Sequence, residues 1–177
     1  VSETFSRSKG YSILSEIIQT SITTIDATRQ YQQCAKEVSI WTMCNAITEY
    51  VIRADVTTEE DYARIAYREN LSWALKHRRI DLLRLMFKGL EELLKCLLVA
   101  MRDNNIPRLD DWVCKFDPIP VIRDVMTCKD LENLQTLCLD LCEILSKCGR
   151  RTRTCLHKMF SDPRIVKLIH ERAFLSQ

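Results

Sequence analysis

The sequence predicts an all-α fold of about eight or nine helices, and three observations carry that expectation. Three Gly and four Pro in 177 residues leave few positions for the φ > 0 turns that tight β-hairpins need. Apolar residues recur at steps of three and four over most of the chain, the period of one helix face. Helix-start signals stand at Thr57, Asp117 and Asp162, ahead of such runs. The same scarcity of Gly excludes a phosphate cradle, since neither G-x-G-x-x-G nor G-x-x-x-x-G-K occurs.

In chain order, residues 1–9 are polar and read as a flexible N-terminal segment, with a single domain over 10–177. The first helix is expected from about Ser12, on Leu14, Ile18, Ile22 and Ile25 with Ile13 and Ile17 beside them. A second runs from about Ala27 to Arg53 with two adjacent stripes, Tyr31-Cys34-Val38-Trp41 and Ile40-Cys44-Ile47-Val51. Thr57 with Glu60 three residues later forms a capping box. The helix after it is expected to turn Tyr62, Ile65 and Ala66 inward, and Asn70 to open a short helix of its own. His77-Arg78-Arg79 reads as a tight, solvated turn ending at an Asp81 cap.

The strongest pattern follows: Leu83, Phe87, Leu90, Leu94, Leu97 and Met101 alternate steps of four and three, flanked by Leu82, Met86, Leu93 and Leu98. The seam lasts under three heptads and its flanks are apolar too, so a central core helix is expected rather than a coiled coil. Glu91, Glu92 and Lys95 interrupt the run, and it is too short to span a bilayer.

Leu109, Trp112, Val113 and Phe116 fit a short helix, and Asp117-Pro118 reads as the cap of the next. Asp130 is expected to cap a long helix through Leu131, Leu134, Cys138, Leu141, Leu145 and Cys148, with Gly149 as its left-handed C-terminal residue. Asp162-Pro163 then opens a last helix with Ile165, Val166, Leu168 and Ile169.

The segment Ile119-Pro-Val-Ile-Arg-Asp-Val-Met126, a polar turn, and Leu131 to Cys148 resemble an armadillo- or HEAT-type unit, with Asp162 to Ile169 like the start of the following one. Asp117-Pro118 stands where those families usually carry a Gly. The resemblance covers the last ~60 residues. It implies a right-handed α-α stack with a groove for a partner.

Nine cysteines, an odd number, fall mostly on apolar faces. They read as small buried hydrophobes of a reducing compartment, cytoplasm or nucleus. Cys138, Cys142, Cys148, Cys155 and His157 lack a C-x-x-C knuckle, so core thiols are expected and no metal or cofactor. His77, His157 and His170 show no catalytic spacing, and Glu59-Glu60-Asp61 and Asp110-Asp111 fit helix starts. No enzyme is expected. Trp41, Trp73 and Trp112 read as core, and the Val1 start as that of a piece of a longer chain.

The net charge of +2 conceals an asymmetry. From Lys147 onward eight Lys/Arg face two acids, so +6, leaving −4 for the rest. Arg150, Arg151 and Arg153 are expected in one loop after Gly149. With Lys158, Arg164 and Lys167 they form the candidate partner-binding surface, for an acidic protein or peptide. The function expected is a non-enzymatic adaptor or scaffold domain. A nucleic-acid-associated domain using the arginines, and a self-associating viral or structural protein using the Leu83–Met101 seam, are the alternatives.

Overall fold

The computed structural model describes the backbone of residues 2–21, 26–53, 58–102 and 106–175, with the side chains of these except 2–8, 26–27, 58–61 and 106. Within these residues the chain forms helices joined by short turns: α1 (Ser2–Gln19), α2 (Asp26–Arg53), α3 (Thr58–Lys76), α4 (Ile80–Met101), α5 (Ile106–Phe116), α6 (Ile119–Thr127), a 3-10 turn (Lys129–Leu134), α7 (Gln135–Ser146), α8 (Arg150–Phe160) and α9 (Pro163–Leu175). The all-α expectation and the number of helices both stand.

α4 is the axis of the molecule. Leu82, Leu83, Met86, Phe87, Leu90, Leu93, Leu94, Leu97 and Met101 are all buried, and α4 packs on α2, α3, α5 and α7. A helix apolar over most of its circumference is stable in water only with neighbours on several sides. The Leu83–Met101 seam is therefore inside this chain's own core. Gly89 permits the closest approach: a Cβ there would lie 3.0 Å from the Tyr67 hydroxyl and 3.1 Å from Cγ2 of Ile40. That hydroxyl donates to the Met86 carbonyl.

α1, α2 and α3 pack on one another at one end. Two buried polar groups join them. Asn70 lies inside α3 rather than at a helix start; its Nδ2 donates to Ala66 O at 2.8 Å and to Ser15 Oγ at 2.8 Å, and its Oδ1 accepts from Gln19 Nε2 at 3.0 Å. Lys36, from α2, donates its ammonium to the carbonyls of Ile17 (3.1 Å), Ile18 (2.6 Å) and Thr20. These are orphan carbonyls of the α1 C-terminus, where a cation also opposes the negative end of the helix dipole. Beyond α3, packing recurs three helices apart: α3 on α6, α4 on α7, α5 on α8 and α6 on α9.

Several local expectations are corrected. α1 starts at Ser2, not near Ser12, so residues 2–9 belong to it; it stops at Gln19, and Ile22 and Ile25 lie outside the described residues, as does Thr57 of the capping box. In α3 the buried face is Ala63, Ala66 and Tyr67, while Ile65 points outward. α3 ends in a Schellman motif: Arg78 N–H donates to Leu75 O and Arg79 N–H to Ala74 O, with Arg78 at φ 52°. Arg79, not Asp81, precedes α4.

Asp117 caps the end of α5 rather than the start of α6. Its φ is 52° and its N–H donates to Val113 O at 2.9 Å, while Pro118 stands at the α6 N-cap. Asp130 sits within the 3-10 turn, where Leu131 breaks the helical path, so α7 starts only at Gln135. Asp162 does cap α9, accepting from Arg164 N–H at 2.9 Å.

Candidate functional site

The six cations singled out from the sequence do not form one loop. α8 begins at Arg150, so Arg150, Arg151 and Arg153 occupy a helix N-terminus instead of following a C-terminus. Cations there oppose the dipole, and the fold answers with acids from α5. Asp111 takes the Arg151 guanidinium. The buried Asp110 carboxylate accepts from Arg151 N–H at 2.9 Å, Thr152 N–H at 2.9 Å and Thr152 Oγ1 at 2.6 Å.

Asp110 thus does for α8 what an N-cap side chain does locally, from 41 and 42 residues away. The residue at the N-cap itself is Gly149, with no side chain to offer. Its φ of 156° and ψ of 177° belong to a region that is essentially glycine's, not to the left-handed helical cap expected for α7. A Cβ there would collide with Asp110, Oδ2 being 2.6 Å away. Burial pushes the Asp110 carboxyl up, but the Thr152 hydroxyl, the two N–H groups and Arg151 outweigh it and hold the pKa below the usual value.

Successive helical residues turn by about 100°, so Arg151 and Arg153 lie on opposite flanks of α8. Arg153 borders a groove between α7 and α8 floored by Leu139, Cys142, Leu156 and Phe160, with His157 on its rim. Arg164 and Lys167 line a different depression, against α6 and the 3-10 turn. Arg164 holds Asp162 at 2.8 Å and Lys167 lies 3.9 Å from Glu171. Lys158 and Arg150 are exposed, Lys158 two turns beyond Arg151 on the same flank and Arg150 one turn before Arg153. The structure thus places Arg151 and Arg153 on opposite flanks of α8, and Arg164 and Lys167 in a depression that Arg153 does not line.

Cys138, Cys142 and Cys148 are buried and Cys155 is exposed. Burial pushes each of the three buried thiols up to about 12. Among the described residues no three His, Cys, Asp or Glu converge on a point that would hold a metal ion, and no helix is long and apolar enough to cross a membrane. Trp112 is buried against Phe116, ring centroids 5.3 Å apart. Trp73 is half-buried, stacked on His77 at 4.4 Å with the Arg79 guanidinium 5.5 Å from its ring centre.

A second surface lies at the opposite end, on α2. Of its two apolar stripes, Ile40-Cys44-Ile47-Val51 is core. The other stands in solvent: Tyr31 is 77% exposed, Val38 63% and Trp41 50%, with Cys34 exposed between them and Ile52 further along. The steps from 31 to 34, 38 and 41 are three, four and three, one continuous strip along the helix.

Beside this strip a trough of about 790 Å³ runs between α2 and α4, lined by Arg29, Gln33, Cys34, Arg84, Leu85 and Lys88 among others. It continues past Arg78 and Arg79, with Lys36 on its floor, and Asp81 is the one acid among the described lining residues. Both features were present in the sequence. Two apolar stripes about 100° or more apart on one helix cannot both face a single core element, and Arg84 and Lys88 stand one turn apart on the polar face of α4.

No family model matches this chain, and no curated protein or solved structure does.

Proposed function

We propose that this chain is a non-enzymatic protein-interaction module whose docking surface is the outer face of α2. The observation that carries the reading is the Tyr31-Cys34-Val38-Trp41 strip. Scattered exposed apolar residues are ordinary, but a contiguous strip of aromatic and branched side chains is what partner helices anchor on. The reading is of an adaptor or scaffold; the nine free cysteines support a reducing compartment, cytoplasm or nucleus, as its setting. The recurrence of packing three helices apart supports an armadillo- or HEAT-type stack as the frame.

The placing of Arg153 and of Arg164 with Lys167 in different depressions, with Arg151 and Arg164 engaged by acids, weighs against a continuous phosphate track there. Burial of the Leu83–Met101 seam weighs against self-association through it. The test is proximity labelling in cells with the wild-type chain and a Val38→Asp, Trp41→Ala variant. The proposal requires a set of labelled proteins lost in the variant while thermal stability is kept. An unchanged set would overturn it.

A further inference from the structure

We infer that the trough between α2 and α4, together with the strip beside it, receives an acidic amphipathic helix of a partner protein; this rests on the interaction reading above and narrows the class of partner. The charge of the lining decides the class. Among the described lining residues Arg29, Arg78, Arg79, Arg84 and Lys88 stand along it against one acid, Asp81. Arg84 is 3.3 Å from Asp81, which offsets one cation and leaves the excess large. Lys36 adds a buried charge beneath, its ammonium held by the α1 carbonyls. A potential of one sign in a concave site selects a partner of the other sign and speeds its arrival.

The apolar lining decides the kind of acid. Leu85, Ile80 and Leu82 line the trough, and Cys34 belongs both to it and to the exposed strip. A partner therefore meets an apolar strip and a basic flank at once. A helix with apolar residues three and four apart and Glu or Asp along one side matches both. A phosphate backbone matches only the cations.

The experiment is selection of a helix-biased random peptide library on the intact chain, followed by fluorescence anisotropy of the selected peptides. Two surface variants are compared, Arg84→Glu with Lys88→Glu, and Val38→Asp with Trp41→Ala, each checked by its melting curve. The selected peptides are expected to be acidic and amphipathic. Each should lose at least about tenfold in affinity against either variant, and reversing the peptide acids to Lys should restore binding to the Glu variant. Peptides without acidic bias, or insensitive to Arg84→Glu with Lys88→Glu, overturn the inference; if they remain sensitive to Trp41→Ala, the interaction reading survives it. Peptides sensitive to neither variant, or no selected peptide, overturn both. Single-stranded RNA or DNA that binds more tightly than the peptides and is lost in the Glu variant overturns the acidic-helix assignment in favour of nucleic acid. Dimerisation abolished by Trp41→Ala, seen by sedimentation, does so in favour of a second copy.

Discussion

Replacing Asp110 by Ala tests the long-range cap of α8 most directly. The carboxylate accepts three hydrogen bonds, from Arg151 N–H, Thr152 N–H and Thr152 Oγ1, all between 2.6 and 2.9 Å. Loss of an N-cap costs about 0.5–2 kcal/mol, and a hydrogen bond to a charged group contributes about 1.5–3 kcal/mol. Because the three bonds share one carboxylate they do not add fully, and a loss of about 3–5 kcal/mol is expected. For a chain of this size each kcal/mol lowers Tm by about 2–4 °C, so Tm should fall by roughly 10 °C.

Asp110→Asn keeps an oxygen for Thr152 but turns an amide N–H toward the N–H of Arg151; it should cost about 1–2 kcal/mol. Gly149→Ala strikes the same contact from the other side, and the two substitutions should couple by about 1 kcal/mol or more in a double-mutant cycle. The pH sign follows from the lowered pKa. The contribution is whole above the unfolded value and is lost as pH falls through the lower folded value, so the gap between wild type and Asp110→Ala should close in acid. Urea denaturation followed by circular dichroism gives all these quantities. An Asp110→Ala cost below about 1 kcal/mol, or full additivity with Gly149→Ala, would refute the reasoning.

Arg78→Gly should stabilise the chain by about 0.5–1 kcal/mol in the same assay, because it removes a side chain from φ 52° at the end of α3; a destabilised variant contradicts the Schellman assignment. Gly89→Ala should cost about 1–2 kcal/mol despite alanine's better helix propensity, since its Cβ meets Tyr67 and Ile40 at 3.0 and 3.1 Å. A gain in Tm would count against that close approach. Burial and then the Arg79 guanidinium lower Lys36 from 10.5 to about 8, against the carbonyls that favour its charge. The unfolded chain holds that proton more tightly, so this group's contribution to stability should rise between about pH 8 and 10.5. A Lys36→Met variant should lack that component, and an identical pH profile would exclude it.

What the sequence by itself determined is whatever depends on residues a turn or two apart. Helicity, the core character of α4 and the Asp162 cap of α9 are of this kind: i, i+3 and i, i+4 relations that a linear string displays. The misread starts were failures of competition between neighbours. Asp117 and Asp130 have the chemistry of N-caps, but a preceding helix and a 3-10 turn claimed their backbones first.

The candidate surfaces were half visible. Every cation and every residue of the α2 strip was legible, but not which way each one faced. Only the tertiary structure decided which stripe of α2 meets α4 and which meets water, because burial depends on what lies opposite, and periodicity reports only that a face exists. It also decided that α8 is capped by Asp110. Hydrogen bonds across 41 and 42 residues leave no local spacing to read, and Gly149 takes its meaning from the carboxylate that needs its missing Cβ.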